Sequence, residues 1–374
     1  MSDRWWKGGE GMQITKDQKA AIRKHLTAFQ KYLQTEQFQT DQKNRLDRVH
    51  FFQKVLPNRL ADLAESDVEE VILNLWASMM WSNKAYLVQK IITENGMDSL
   101  RQNLTLLLDR SKPGASRYTA SLKSLKRLGP ASITEILCYG DPEHCGIWNQ
   151  KARPALSILG FADVVNPKKY KLSGEEYEAF NQLLRAIADE LKQAGMKEVD
   201  LLFVDFFLYE VSQSAEAPTA ATAPAVVAPL SQPSSDSFDH DEIKDMVEQI
   251  GSNLGFDAST EVKITHGAKL DAVWRAQIGH LGMVMYAFEV HSKGSIDSLL
   301  LNLQKAKSHP SVQKVIAVSD DAQLEKIRRE STGLPEEFRR SLAFWSAKDV
   351  QKVAKNLEEV TTIINGLGLV QGEF

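Results

Sequence analysis

Between residues 213 and 237 the chain reads QSAEAPTAATAPAVVAPLSQPSSDS. Alanine, proline, serine and threonine dominate, and no apolar residue recurs at helical or strand spacing. Such a stretch cannot bury enough apolar surface to offset the entropy of ordering it. Compact domains rarely hold so long a structureless loop. The run therefore divides the chain into a helical domain over 1–212, a linker over 213–238 and a second domain over 239–374. The linker's slack lets the two halves sample many relative positions.

Before the linker the pattern is helical. Leu56, Leu60 and Leu63 recur at three-to-four spacing, as do Val71, Leu75 and Met79. Thr15 and Ser66 precede acids and are read as helix caps. Asn95-Gly96 breaks the pattern, and a further helix covers about 98–108. The aromatics Phe51, Phe52, Trp76, Trp81 and Tyr86 are read as helical core, not as a base-stacking platform. Residues 174–194 form a long surface helix. The apolar run LLFVDFFLYEV, 201–211, is a buried strand or short helix.

From Arg110 to Thr134 there are six basic residues and no acid: Arg110, Lys112, Arg117, Lys123, Lys126 and Arg127. Pro113-Gly114 and Gly129-Pro130 make this a loop followed by a helix ending in a turn. LKRLGPASITEIL resembles the helix-hairpin-helix motif, whose glycine hairpin and following helix N-terminus hold a phosphate. The resemblance implies that Gly129 and Ser132 face the phosphate, with Lys126 and Arg127 beside them. Arg127 stands where the motif usually has a second glycine. The alternative is a solvated basic loop and an ordinary helix turn. ILCYGDPEHCGIWNQKAR is similar to the corresponding part of helical DNA-glycosylase-like domains. No Lys/Asp pair of the kind those enzymes use stands at a matching position, so glycosylase chemistry is not expected. Cys138, His144 and Cys145 lack the fourth ligand of a structural zinc and are read as ordinary side chains.

After the linker the order reads α-β-β-β-α-β-α-β-α. The strands lie at about 261–265, 269–278, 283–292, 314–319 and 341–346. The last-but-one, KVIAVS, is uniformly apolar, as in a strand buried on both faces. The expected fold class is thus an all-helical domain followed by a mixed α/β sheet domain. Two apolar strands each carry one carboxylate, Asp271 and Glu289. An acid inside a buried strand is unusual unless it is paired or metal-bound.

This order, with these two acids, resembles the PD-(D/E)XK, or restriction-endonuclease-like, nuclease superfamily over about 240–345. The resemblance implies that Asp271 and Glu289 hold Mg²⁺ or Mn²⁺, which activates water and neutralises the phosphate. It places a lysine two residues after the second acid, on the same strand face. His291 stands there instead; it can accept a proton but supplies less fixed charge. Lys293 and Lys269 are the alternatives for that role. Glu248, or Glu242, is expected as a further metal ligand, and Gln304 as a polar contact from the following helix.

A net charge of −4 excludes a uniformly basic nucleic-acid binder, so contacts must come from local patches. No apolar run reaches the roughly 18 residues of a membrane span. MSDRWWKGGEG lacks the apolar core of a signal peptide, and two cysteines make no disulfide framework, so a reducing cytoplasmic setting is expected. The leading expectation is a metal-dependent DNA endonuclease, in restriction, anti-phage defence or repair, whose helical domain positions DNA. Cutting both strands calls for a homodimer, and a separate motor or specificity protein could direct it. The alternatives are a nuclease-like DNA sensor that has lost activity, and a protein-interaction module without DNA affinity.

Overall fold

The computed structural model describes residues 12–78, 84–216, 238–265, 268–277 and 283–366. Residues 1–11, 79–83 (with Met79 and Trp81), 217–237, 266–267, 278–282 and 367–374 lie outside the described residues. The chain divides into two compact units, one helical and one built on a sheet.

The helical unit runs through α1 (Lys16–Tyr32), α2 (Glu36–His50), α3 (Glu65–Leu73), α4 (Lys84–Asn95) and α5 (Met97–Leu108). It continues with α6 (Gly114–Ser124), α7 (Pro130–Gly140), α8 (Ala152–Ile158), α9 (Gly174–Gln193) and α10 (Leu201–Glu216). Thr15 caps α1 in a capping box with Gln18. Ser66 does not cap α3. Asp67 instead accepts from the Ala64 N–H at 2.9 Å, so the helix starts two residues earlier than expected from Ser66. The run from Leu201 resolves as helix α10, because Asp200 accepts from the Phe203 N–H at 2.7 Å and caps its first turn.

Helix α9 is not a surface helix. Ser173 and Glu176 form its capping box, but Tyr177, Phe180, Leu183, Leu184, Ile187 and Leu191 are buried. Its charged residues conceal this, since Glu190 is itself buried against Lys19 at 2.5 Å. Phe51 and Phe52 are core residues, as expected. Trp76 is not: it sits in a short 3-10 turn and is 48% exposed.

The sheet unit opens with α11 (His240–Asn253), then β1 (Asp257–Thr265), β2 (Ala268–Gln277) and β3 (Met283–His291). It continues with α12 (Ile296–Lys307), β4 (Val312–Ser319), α13 (Asp321–Ser331), α14 (Glu336–Ser341), β5 (Leu342–Ser346) and α15 (Ala347–Gly366). The short helix α14 is an addition to the expected order. The five strands lie in sequence order; β1–β2 and β2–β3 pair antiparallel, β3–β4 and β4–β5 parallel. A parallel β3–β4 pair requires a crossover, and α12 supplies it.

Alternation along the strands feeds two cores. Ala272, Trp274, Phe288, Val290, Ile316 and Val318 pack with α11 and α15. Val273, Ala287, Val315 and Ala317 pack with residues of α12, α13 and α14. Trp274 locks α11 down: its indole N–H donates to the Val247 carbonyl at 2.9 Å, and a Cβ at Gly251 would lie 2.4 Å from its Nε1.

Candidate functional site

The β1–β2 register pairs Thr260 with Ala272 and Val262 with Leu270, which brackets Glu261 opposite Asp271. The β2–β3 register ends at Ala272 with Phe288, so the next step places Asp271 opposite Glu289. Three carboxylates thus line up across three adjacent strands. Asp271 Oδ2 accepts from the Val290 N–H at 2.8 Å and lies 3.3 Å from His240 Nε2, at the start of α11.

The two central acids divide one proton between them. Burial alone would raise Asp271, but hydrogen bonds from His240 and from the Val290 N–H hold its carboxyl below the usual range. Glu289 goes the other way. Burial, then the charge of Asp271, then a hydrogen bond to Asp271 push its carboxyl far above the usual range, while Asn302 of α12 opposes. Glu289 is 8% exposed and its Oε1 has no hydrogen-bond partner. A buried acceptor without a partner beside a second carboxylate is costly, and a proton or a cation would relieve it.

Glu261 was not singled out in the sequence, where 261–265 reads only as a strand. Its backbone adopts φ +57°, unusual for a non-glycine residue within a strand. Its carboxylate pairs with Lys244 of α11 at 2.7 Å and with Lys269. Burial would raise it, yet these two lysines hold it below the usual range. Lys244 also bonds Asp241 at 3.0 Å, and these acids raise its ammonium against burial. His240 was missed too; its bond to Asp271, against burial, raises its imidazole. Only its position at the start of α11 could have signalled it.

His291 ends β3 and is buried, its carbonyl accepting from the Ser319 hydroxyl. Burial lowers its imidazole, with His240 pushing the same way and Asp320 opposing, so it is held neutral. Lys293 is exposed beyond the strand end. Glu248 is buried on α11. It lies eight residues along α11 from His240, about 12 Å at helical rise, on the stretch that packs against Trp274. Glu242, near the start of the same helix, is buried as well. From α12 it is Asn302 that meets Glu289; Gln304 lies two residues further along, roughly 200° round the helix. Among the described residues no three His, Cys, Asp or Glu side chains form a ready-made metal cage. Two carboxylates completed by water and phosphate oxygens suit Mg²⁺, which rarely uses an all-protein cage.

In the helical unit, α6, the turn 125–129 and α7 form the hairpin. Asn95 pins the turn, accepting from the Lys126 N–H at 2.8 Å and donating to the Lys126 carbonyl at 3.0 Å. Arg127 occupies the left-handed region at φ +68°, where the motif's glycine would be at ease. The helix α7 presents the Ala131 and Ser132 amides at its start; Pro130 has none, and Ile133 already bonds Gly129. A Cβ at Gly129 would lie 2.7 Å from the Tyr170 hydroxyl, so any larger residue there must push Tyr170 aside.

The basic run splits. Arg117 is 1% exposed and bonds Asp141 at 2.7 Å and the Leu107 carbonyl at 2.9 Å, so it is a core ion pair, not a DNA contact. Arg110 donates to the Gly140 carbonyl at 2.7 Å and closes the end of α7. Arg127 bonds Glu94 at 2.7 Å. Lys112, Lys123 and Lys126 are exposed, Lys112 lying 3.4 Å from Asp109. Cys138 and Cys145 are buried thiols, and His144 pairs with Asp141 at 2.8 Å.

A family model described as "Putative 8-oxoguanine DNA glycosylase OGG-like protein" matches residues 10–203, which is the helical unit and more than half of the chain. The chain belongs to this family, which by its description is one of DNA-acting enzymes. No curated protein and no solved structure matches the chain. No helix among the described residues is long and apolar enough to cross a membrane.

Proposed function

We propose that this protein is a metal-dependent DNA endonuclease in which a glycosylase-like helical unit holds DNA and the sheet unit hydrolyses it. The observation that carries the reading is the Asp271–Glu289 pair with its unpartnered, buried Glu289 Oε1. A divalent cation there would release the Glu289 proton and satisfy both carboxylates. It would supply Lewis acidity and an activated water. His240 orients Asp271, as an outer-sphere partner orients a ligand. Lys244 and Lys269, brought together by Glu261, stand for the positive charge that His291 does not provide. The exposed Lys112, Lys123 and Lys126, with the start of α7, would contact the DNA backbone. A restriction or defence role, a homodimer and a separate motor or specificity protein remain part of this proposal.

A second reading is base excision by the helical unit, favoured by its family. Helix α7 after the hairpin carries no lysine, and its Glu135 is buried. Lys84 is the group that could serve as a nucleophile: burial, then the charge of Arg48, hold its ammonium below the ordinary value. One assay separates the readings. An end-labelled duplex carrying 8-oxoguanine is incubated with Mg²⁺ or with EDTA. Metal-dependent products ending in hydroxyl and phosphate support hydrolysis. Base release that persists in EDTA supports excision and contradicts the nuclease reading if no hydrolytic products form.

A further inference from the structure

Two lysines from different elements converge on the carboxylate of Glu261. Lys244 of α11 bonds one oxygen at 2.7 Å, and Lys269 of β2 bonds the other. The Lys244 side chain is only 11% exposed, whereas those of Glu261 and Lys269 are 43% and 64% exposed. The carboxylate they share is thus open to solvent, and another anion can reach the same two ammonium groups. Lys244 follows His240 by four residues, one turn along the same face of α11. His240 meets Asp271 and Lys244 meets Glu261, so the lysine pair sits about 6 Å along the helix from the central acids. That is close to the separation of successive phosphates along one DNA strand.

Glu261 reaches the lysines from a left-handed backbone, φ +57°, which a non-glycine residue keeps only when its surroundings hold it there. An ordinary surface ion pair contributes little and does not need such a backbone. A carboxylate gripped by two ammonium groups presents two oxygens sharing one negative charge. The unbridged oxygens of a phosphodiester present the same, and they pair with lysine in the same charge-assisted way. Asp241 steadies Lys244 from its other side at 3.0 Å, so the ammonium stays in place when Glu261 leaves.

We propose that Lys244 and Lys269 form a site for the DNA phosphate flanking the one at Asp271 and Glu289, and that Glu261 occupies it until DNA displaces it. Glu261 is then a built-in competitor for the backbone, and its strained strand position relaxes when the exchange occurs. This rests on the reading that the sheet unit takes DNA.

The test measures duplex binding by the intact chain in EDTA, which makes it independent of cleavage. Glu261→Gln removes the competing charge, and Glu261→Gly removes it while suiting the left-handed backbone. Both should bind about tenfold tighter than wild type, with the slope of log K against log salt steeper by about one to two. Lys269→Ala separates displacement from a mere change of net charge. In wild type it should alter affinity little, because the lost phosphate contact is offset by an ion pair that no longer has to break. In the Glu261→Gln background it should cancel most of the gain. Binding no tighter in either Glu261 variant, or an equal loss from Lys269→Ala in both backgrounds, overturns the proposal and leaves the DNA reading intact. Failure of wild type and variants alike to bind duplex removes that reading and the site together.

Discussion

Glu289→Gln should stabilise the sheet unit while abolishing the metal binding proposed for it. At neutral pH the folded protein keeps a proton on Glu289, whereas the unfolded chain releases it. A free glutamate titrates near pH 4.3, and each further pH unit of forced protonation costs about 1.4 kcal/mol. Between that value and pH 7 the ceiling is about 3–4 kcal/mol. Water entry and side-chain relaxation reduce it, and a gain of about 1–3 kcal/mol is expected for glutamine. Glutamine preserves the shape of the protonated acid, and its amide can donate to Asp271 as the carboxylic acid does. The sign is fixed by the direction of the shift. Glu289 is raised, so wild-type stability falls as pH rises above the unfolded value, and the variant should lose that slope. Asp271 is lowered, so its contribution is present above its unfolded value and is lost in acid. Hydrogen exchange of β2 and β3 amides in the intact chain, in EDTA from pH 5 to 8, reads this unit separately. A variant less stable than wild type at pH 7, or one with an unchanged pH slope, would refute the reasoning.

The other expectations concern the places where side chains were reassigned. Arg117→Met should cost about 3–5 kcal/mol by stranding Asp141, seen as a lower melting temperature; an unchanged melt with weaker DNA binding would contradict its assignment to the core. Lys126→Ala should leave melting unchanged and reduce the slope of log K against log salt by about one. Gly251→Ala should destabilise the sheet unit by about 1–3 kcal/mol, because the new Cβ meets the Trp274 indole; chemical denaturation would show it. His240→Ala should weaken Mn²⁺ binding about 10- to 100-fold without unfolding, measured by calorimetry; unchanged affinity would remove His240 from the site.

The strand order and the two acids were legible because alternation and burial leave few places for a carboxylate. A period of two carried Asp271 and Glu289 to adjacent strand positions, and the structure sets them opposite each other. Sequence could not show Glu261, because its role depends on a left-handed backbone in β1 and on lysines from another strand and a helix. Asn302 was missed because its turn toward Glu289 depends on the rotational phase of α12, which apolar spacing fixes only coarsely. The basic run misled because charge says nothing of burial: Arg117 and Lys126 look alike in the sequence and lie at opposite extremes of exposure. Helix α9 misled in the same way, with its glutamates masking a buried face. Trp76 was assigned to the core by its type, whereas a short 3-10 turn, braced by Glu135 from a distant helix, turns it outward.

The central claim is that Asp271 and Glu289 hold a divalent cation that cuts DNA. The most direct measurement is cleavage of supercoiled plasmid, including DNA carrying modified cytosine, by wild type, Asp271→Asn and Glu289→Gln in Mg²⁺, Mn²⁺ and EDTA. The account predicts nicking or linearisation by wild type in metal alone, and none by either folded variant. Cleavage that persists in both variants, or in EDTA, would contradict it.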